Sequence, residues 1–239
     1  NPDVAWVAAL GHLYSTNKER GVFKTTDGGK TWKQTLFVDE TTGAVEMDIN
    51  PKNPNELYAS TWHRIRKAWN FTEGGKSSGI YKSNDGGNSW KLLTNEGSGF
   101  PQGDGIGRIG LAIYPQNPTV VYAVVDNYTL KPDTSKTPKP NTGAGPAANQ
   151  IYGCEVYKSL DGGKNWNKTN EKNIEIYNTF GYYFGKIFVS ATNPDKVVIL
   201  GTSANLSTDD GKSFTSMDKG NTHADWHAFW INPKRDDHM

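Results

Sequence analysis

The sequence lacks what several function classes need. Its single cysteine, Cys154, has no partner for an intramolecular disulfide or a cysteine zinc site. Charge of one sign is missing: 26 basic residues face 25 acidic ones, a net charge of +1. That balance argues against a nucleic-acid partner held by bulk electrostatics. No run approaches the roughly 18 apolar residues of a membrane-crossing helix, so no membrane span is expected in this segment. Arginine is scarce, with Arg20, Arg64, Arg66, Arg108 and Arg235 the only examples. The chain opens at Asn1 with neither methionine nor signal peptide, and is read as a processed form or a segment of something longer.

The abundant residues favour sheet. With 26 Gly, 12 Pro and 8 Trp, the composition suits many short strands and turns. The 12% aromatic content is too high for a disordered chain. An internal repeat then organises the chain. Ser/Thr-x-Asp-x-Gly-x-x-Trp occurs around Asp27, Gly29 and Trp32, around Asp85, Gly87 and Trp90, and around Asp161, Gly163 and Trp166. A degenerate copy carries Asp209, Gly211 and Phe214. A second element interleaves with the first: Asn53-Pro54 and Asn117-Pro118, each with a tyrosine four residues on, plus Asn193-Pro194 and Asn1-Pro2. Proline cannot donate to a ladder, so each Asn-Pro turn ends one strand and begins the next.

Each unit reads as four strands. Strand A precedes the Asn-Pro turn and B follows it; C leads into the aspartate, and D starts at the aromatic. Glycines supply the positive φ of the tight C–D turn, and the aspartate accepts hydrogen bonds from turn amides. Four-stranded units of about 40 to 50 residues indicate an all-β fold, a β-propeller of antiparallel blades; a parallel β-helix is the weaker alternative. Blades are expected at about 1–36, 43–94, 107–169 and 185–217, with a further blade beginning at 223–239. The stretch from Asn232 continues past a turn and repeats ground covered by Asn1 to Ala5, so about four blades of a larger propeller are expected.

Alternating strand direction puts the A–B and C–D turns on one face and the B–C and D–A loops on the other. The irregular loops 61–78, 94–108, 126–153 and 169–184 belong to the second face, where sites usually sit. Lys131 to Ala148 reads as a solvated insertion. The loop face should carry four of the five arginines together with His12, Trp62, His63, Arg64, Arg66, Trp69, Arg108, Tyr182, Tyr183 and His223 as ligand contacts. Arginine forks clamp carboxylates, sulfates or phosphates, and rings stack on sugars or peptide side chains. Alternation on a strand would point His223, Asp225 and His227 to one side. Such a set could bind a transition metal, form an acid/base pair, or be a hydrogen-bonded structural network. Asp225 and His227 are the catalytic candidates. No cofactor is expected. Trp32, Trp90 and Trp166 are expected in the core, and the four repeated aspartates in the scaffold. Glu46 lies on an inner strand with no fixed orientation.

The four turns ending in Trp32, Trp90, Trp166 and Phe214 resemble the Asp-box, or BNR, repeats of sialidases and related propellers. The wider pattern is similar to bacterial exported glycosyl-hydrolase-type proteins with BNR or sortilin (VPS10)-like repeats. It is carried by Glu19 to Lys24, Ala59 to Arg64, Gly107 to Gly110 and Asp225 to His227, and covers essentially the whole chain. The resemblance implies an extracellular, periplasmic or cell-surface location, a glycan or peptide ligand, contacts with other domains of the same parent chain, and more blades. Sialidases use an Arg-Ile-Pro segment, an arginine triad, a Tyr/Glu pair and an acid aspartate. Here Gly110 follows Arg108-Ile109, and no Tyr/Glu pair is assigned. Xyloglucan-cleaving propellers use two aspartates, of which this chain supplies Asp225; sortilin-type propellers bind peptides inside the ring.

Overall fold

The computed structural model describes residues 1–132, 148–177 and 180–239. The expected Lys131–Ala148 insertion therefore lies largely outside the described residues. The chain is all-β, with strands paired antiparallel throughout. The first sheet holds β1 (Ala5–Ala9), β2 (Gly21–Thr25) and β3 (Lys33–Leu36). β4 (Thr42–Ile49) and β5 (Leu57–His63) open the second. A separate hairpin, β6 (Ile65–Arg66) and β7 (Phe71–Thr72), follows before β8 (Gly79–Ser83) and β9 (Lys91–Leu92) complete that sheet. The third sheet is β10 (Ile106–Ile113), β11 (Val121–Leu130), β12 (Ile151–Ser159) and β13 (Asn167–Lys168). The fourth is β14 (Lys186–Val189), β15 (Val197–Leu200), β16 (Ala204–Ser207) and β17 (Thr215–Ser216). This is a partial β-propeller of about four blades, the first blade showing three strands.

The turns explain why each blade closes. Ser83 Oγ donates to Asp85 Oδ1 at 2.7 Å, and Ser89 N and Oγ donate to the same carboxylate at 2.9 and 2.5 Å. The turns at Asp27 and Asp209 repeat the pattern. Hydrogen bonds from the Thr31 side chain and backbone hold the Asp27 carboxyl down at about 2, and those from Ser213 do the same for Asp209. The residue after each aspartate is left-handed: φ is 70° at Gly28, 71° at Gly86 and 73° at Gly162. In the fourth copy Asp210 takes that conformation at φ 69°. Each turn is tied to the Asn-Pro turn of its own blade, through Gly28 N to Asp3 O, Gly86 N to Asn55 O, Gly162 N to Thr119 O and Asp210 N to Asp195 O. Both turn types therefore share one face.

Neighbouring blades are clipped on that same face. The aromatic four residues after each Asn-Pro proline reaches the next blade's aspartate turn. Trp6 Nε1 donates to Gly86 O at 3.1 Å, Tyr58 OH donates to Gly162 O at 3.1 Å, and Tyr122 OH donates to the Asp210 carboxylate. A lysine ammonium lies over each ring: Lys24 at 5.8 Å, Lys82 at 4.9 Å and Lys158 at 5.2 Å. At the equivalent places in the fourth blade stand Val198 and Leu206. There the seam is apolar, and Trp226, Phe229 and Ile231 pack against it.

Two expectations need correction. Strand D opens one residue after the aromatic, because the indole folds back onto its turn: Trp32 and Trp166 donate to Gly29 O and Gly163 O. The three tryptophans are also not equally buried. Each turn aromatic packs on the preceding blade. Trp166 is 2% exposed beside Phe100, and Trp90 packs half-buried against the first blade and donates to Thr35 Oγ1. Trp32 has no preceding blade among the described residues and is 44% exposed, so it is not a core residue.

The inner strands lie side by side. Asp48 accepts from Ile113 N at 2.9 Å, and Ser60 Oγ donates to Ile109 O at 2.7 Å, tying the second blade to the third. Buried clusters fill each seam, one joining Tyr58, Leu93 and Phe100 to Ile113 and Trp166. Each fully buried aliphatic chain there contributes roughly 1.5–3 kcal/mol. Tyr58→Phe deletes one clip while keeping the ring. It should cost about 1 kcal/mol and lower the melting temperature by roughly 2–4 °C. An unchanged melting temperature by calorimetry would remove the clip from the account.

Candidate functional site

Opposite the clipped face, two irregularities in the inner strands place charges. The β4–β5 register shifts between Ala44 and Glu46, and the β10–β11 register shifts between Ile106 and Ile109. Such bulges re-aim side chains. The second displaces Arg108, whose Nη1 donates to Tyr182 O at 3.2 Å and Tyr183 O at 3.4 Å. The first leaves Val45 unpaired and re-aims Glu46, which meets Lys186 of the fourth blade at 2.5 Å. The third blade's residue at that level is Gly110, where a Cβ would stand 2.0 Å from Gly185 O. Side chains of the second and fourth blades can meet because the third presents none. Glu46 thus faces the inner strands, lining with Lys186 and Phe229 a cavity of about 390 Å³.

Arg64, Arg66 and Arg108 converge electrostatically. Burial, then the charges of Arg20, Arg66 and Arg108, lower the Arg64 guanidinium's pKa from its usual range. The Arg64 guanidinium lies 5.5 Å from the centre of the Trp62 ring, and that of Arg66 lies 4.8 Å from Phe71. Among the described residues none of Arg20, Arg64, Arg66 and Arg108 forms a salt bridge, and the Nε atoms of Arg20, Arg64 and Arg108 are buried without an acceptor. Arg20 is otherwise a staple, donating to Thr41 O, His12 O and Ser15 O.

A belt of rings runs beside the arginines. Trp62 meets Phe71 edge-on at 6.3 Å, Phe71 meets Tyr182 at 5.1 Å, and Tyr182 meets Tyr183 at 5.5 Å. His227 ends the belt, stacked 5.1 Å from Phe184 and tilted 5.8 Å from Tyr183. The structure therefore gathers Trp62, Arg64, Arg66, Arg108, Tyr182, Tyr183 and His227. Within this group Trp62 is a buried support, its Nε1 donating to Glu73 O at 2.7 Å. Trp69 stands at the hairpin tip, 85% exposed.

Other candidates lie elsewhere. His12 pairs with Glu19 at 2.9 Å on the surface. His63 Nδ1 bonds the hydroxyls of Thr41 and Ser77, which assigns it to loop structure. The expected strand through His223, Asp225 and His227 does not form. Asp225 is left-handed at φ 78°, which breaks the alternation, and His223 Nδ1 turns to Ala224 O at 2.7 Å. Asp225 is exposed and makes no side-chain hydrogen bond or ion pair among the described residues. The three side chains are not held as a set.

Sequence reasoning missed an acidic cluster. Glu73, Asp126 and Tyr128 meet around Gly107, where a Cβ would touch the Glu73 and Asp126 carbonyls and the Tyr128 ring. The Tyr128 hydroxyl lies between the two carboxyls without a well-aligned hydrogen bond to either. Burial pushes the Asp126 carboxyl up to about 7, and the Glu73 charge adds to the effect. Burial raises Glu73 as well, opposed by Tyr128 and by the Arg66 charge. Gly181 sits directly on Asp126, where a Cβ would stand 2.0 Å from its carboxyl. One signal was available: Asp126 follows the apolar run Val120 to Val125. A carboxylate continuing a buried apolar run is rarely incidental.

No family model matches the chain, and no curated protein matches it. Among solved structures the fold is similar to the GH74 xyloglucanase from Xanthomonas campestris, at 14% identity and a TM-score of 0.51 over 82% of this chain and 25% of that one. It is also similar to an ancestral GH74 enzyme, at 19% identity and a TM-score of 0.51 over 90% of this chain and 24% of that one. The chain thus spans about a quarter of those structures. Both likenesses establish the β-propeller fold alone.

The raised Asp126 carboxyl has a definite sign. Its folded-state value near 7 lies above the unfolded value near 4, so the native state favours the protonated form. Its contribution is fully present below pH 4 and is lost as the pH rises through 7. Asp126→Asn should therefore raise the melting temperature relative to wild type at pH 8 and leave it nearly equal at pH 4. The reverse order would mean that the ionised carboxylate is the stabilised form.

Proposed function

We propose that this chain is a ligand-binding segment of an exported or cell-surface propeller protein, and that it captures the anionic group of a glycan or peptide on its loop-rich face. The observation carrying the reading is the arginine cluster. Arg64 stands close enough to feel the charges of Arg66 and Arg108, and no described carboxylate forms a salt bridge with any of the three. Like charges gathered without a direct ion pair cost energy that an anion recovers. The planar fork of arginine suits the two-point geometry of carboxylate, sulfate or phosphate. Phe71, Tyr182 and Tyr183 supply apolar surface at the rim of the clamp.

One observation favours a second reading, glycoside hydrolysis: Glu73 and Asp126 flank the Tyr128 hydroxyl beside Arg66. The pair of carboxyls that such chemistry needs would be these two, not Asp225. The same experiment separates the readings. Acidic glycans and acidic peptides are titrated into wild type, Arg66→Ala and Arg64→Lys, and the glycan samples are assayed for new reducing ends. Binding should weaken at least about tenfold in both variants while the melting temperature stays near that of wild type. Equal binding by all three proteins would contradict the clamp. New reducing ends that vanish in Glu73→Gln would transfer the conclusion to the hydrolase reading.

A further inference from the structure

We infer that segment 180–185 is a pH-operated cover: it closes over Asp126 while that carboxyl carries a proton, and lifts away when the proton leaves to water. Such a device regulates the loop-rich face, and it acts whether or not an anion binds the arginine cluster. Asp126 lies on β11, opposite Cys154 of β12. It is 1% exposed, and its Oδ2 is buried without a hydrogen-bond partner. Gly181 packs against it, where a Cβ would stand 2.0 Å from Oδ2. That spacing leaves no layer of water between the segment and the carboxyl.

The groups facing Asp126 suit a neutral carboxyl better than an ionised one. Glu73, from the connection between β7 and β8, is a second acid, and its Oε2 is also buried without a partner. The Tyr128 hydroxyl, set between the two acids, has one proton to donate and serves only one of them. Burial pushes up both the Cys154 thiol of β12 and the Tyr177 phenol, which keeps them neutral. The neighbouring guanidinium groups are engaged elsewhere: that of Arg66 covers Phe71, and Arg108 donates to Tyr182 O and Tyr183 O. Glu155 of β12 is held by Lys168 at 2.7 Å and by Asn127 Nδ2 at 2.7 Å. A carboxylate in such a place needs donors or water.

The path to water runs through the weakest element packed on the carboxyl. β11 and β12 are bound in a four-stranded sheet, whereas 180–185 pairs with no strand among the described residues. The segment is held by turns of its own, Tyr183 N to Phe180 O and Phe184 N to Gly181 O, and by Arg108. It rejoins β14 through Gly185, left-handed at φ 93°. When Asp126 ionises, this segment swings clear, and Tyr182 and Tyr183 leave Phe71 and His227. Burial, then the Glu73 charge, hold the Asp126 carboxyl at about 7. The closed form therefore prevails in acid and gives way as the pH rises through about 7.

The test is amide hydrogen exchange on the whole protein at about pH 5.5 and about pH 8.5, corrected for the intrinsic effect of pH on exchange. Protection of 180–185 should fall roughly tenfold or more at the higher pH, while β11 and β12 keep theirs. Asp126→Asn should stay protected at both values. Glu73→Gln, which removes the charge that helps raise Asp126, should begin to open at lower pH. Gly181→Ala, whose Cβ has no room against the carboxyl, should leave the segment open at both values, and it keeps the test decisive if Asp126→Asn does not fold. Equal protection of wild type at the two values would overturn the switch. So would a fall that persists in Asp126→Asn, a fall that spreads to β11 and β12, or a Gly181→Ala protein as protected as wild type in acid.

Discussion

The structure depends on one contact repeated along the chain: in each of the first three blades, the aromatic after the Asn-Pro turn reaches the aspartate turn of the next blade. Trp6, Tyr58 and Tyr122 make it in turn. A four-stranded blade cannot bury both of its faces alone, so blades must stack. Apolar burial drives the stacking without specifying how far one blade slides along another. A directed hydrogen bond at one edge fixes that offset. Once the turn edge is fixed, the inner strands align, and the opposite edge receives whatever the loops carry. The fourth turn illustrates the constraint. Its left-handed position holds Asp210 where the other copies hold glycine, and the cost of that conformation is offset because the Asp210 side chain receives both Tyr122 OH and the Lys158 ammonium.

The loop face obeys different rules. Nothing there repeats from blade to blade, and side chains are placed by local departures from regular sheet. A bulge displaces Arg108, a glycine at position 110 lets Glu46 and Lys186 meet, and Gly107 and Gly181 let backbone close around Asp126. The face consequently holds guanidinium groups that form no salt bridge among the described residues, beside carboxyls raised by burial. Perturbed charges of this kind cluster at functional sites more than in scaffold, which supports the reading proposed above.

Much of the fold was legible because it is periodic. Turn chemistry, Asn-Pro punctuation and short apolar runs recur, so each copy supports the others. The burial of Trp32 was misjudged because repetition hides position: a residue equivalent to Trp166 packs only if a blade precedes it. The site was legible in its residue types and poorly legible in its geometry. Arginines and rings scarce enough to notice, such as Arg64, Arg108 and Tyr182, do come together. His223, Asp225 and His227 do not, because the alternation argument assumed a strand that the left-handed Asp225 interrupts. Glu73, Asp126 and Tyr128 were passed over because they are distant in sequence and meet only through packing around Gly107. No local pattern encodes that meeting.

The central claim is a division of labour between two faces, one held by repeated contacts and one left to meet a ligand. Side-chain nitrogen NMR tests it most directly, because the arginine Nε–H and tryptophan indole signals sample both faces at once. On titration with an acidic glycan or peptide, the Nε–H signals of Arg64, Arg66 and Arg108 should move. The indoles of Trp6, Trp32 and Trp166, engaged at the turns, should stay in place. Shifts confined to those turn tryptophans, with the arginines unmoved, would contradict the account.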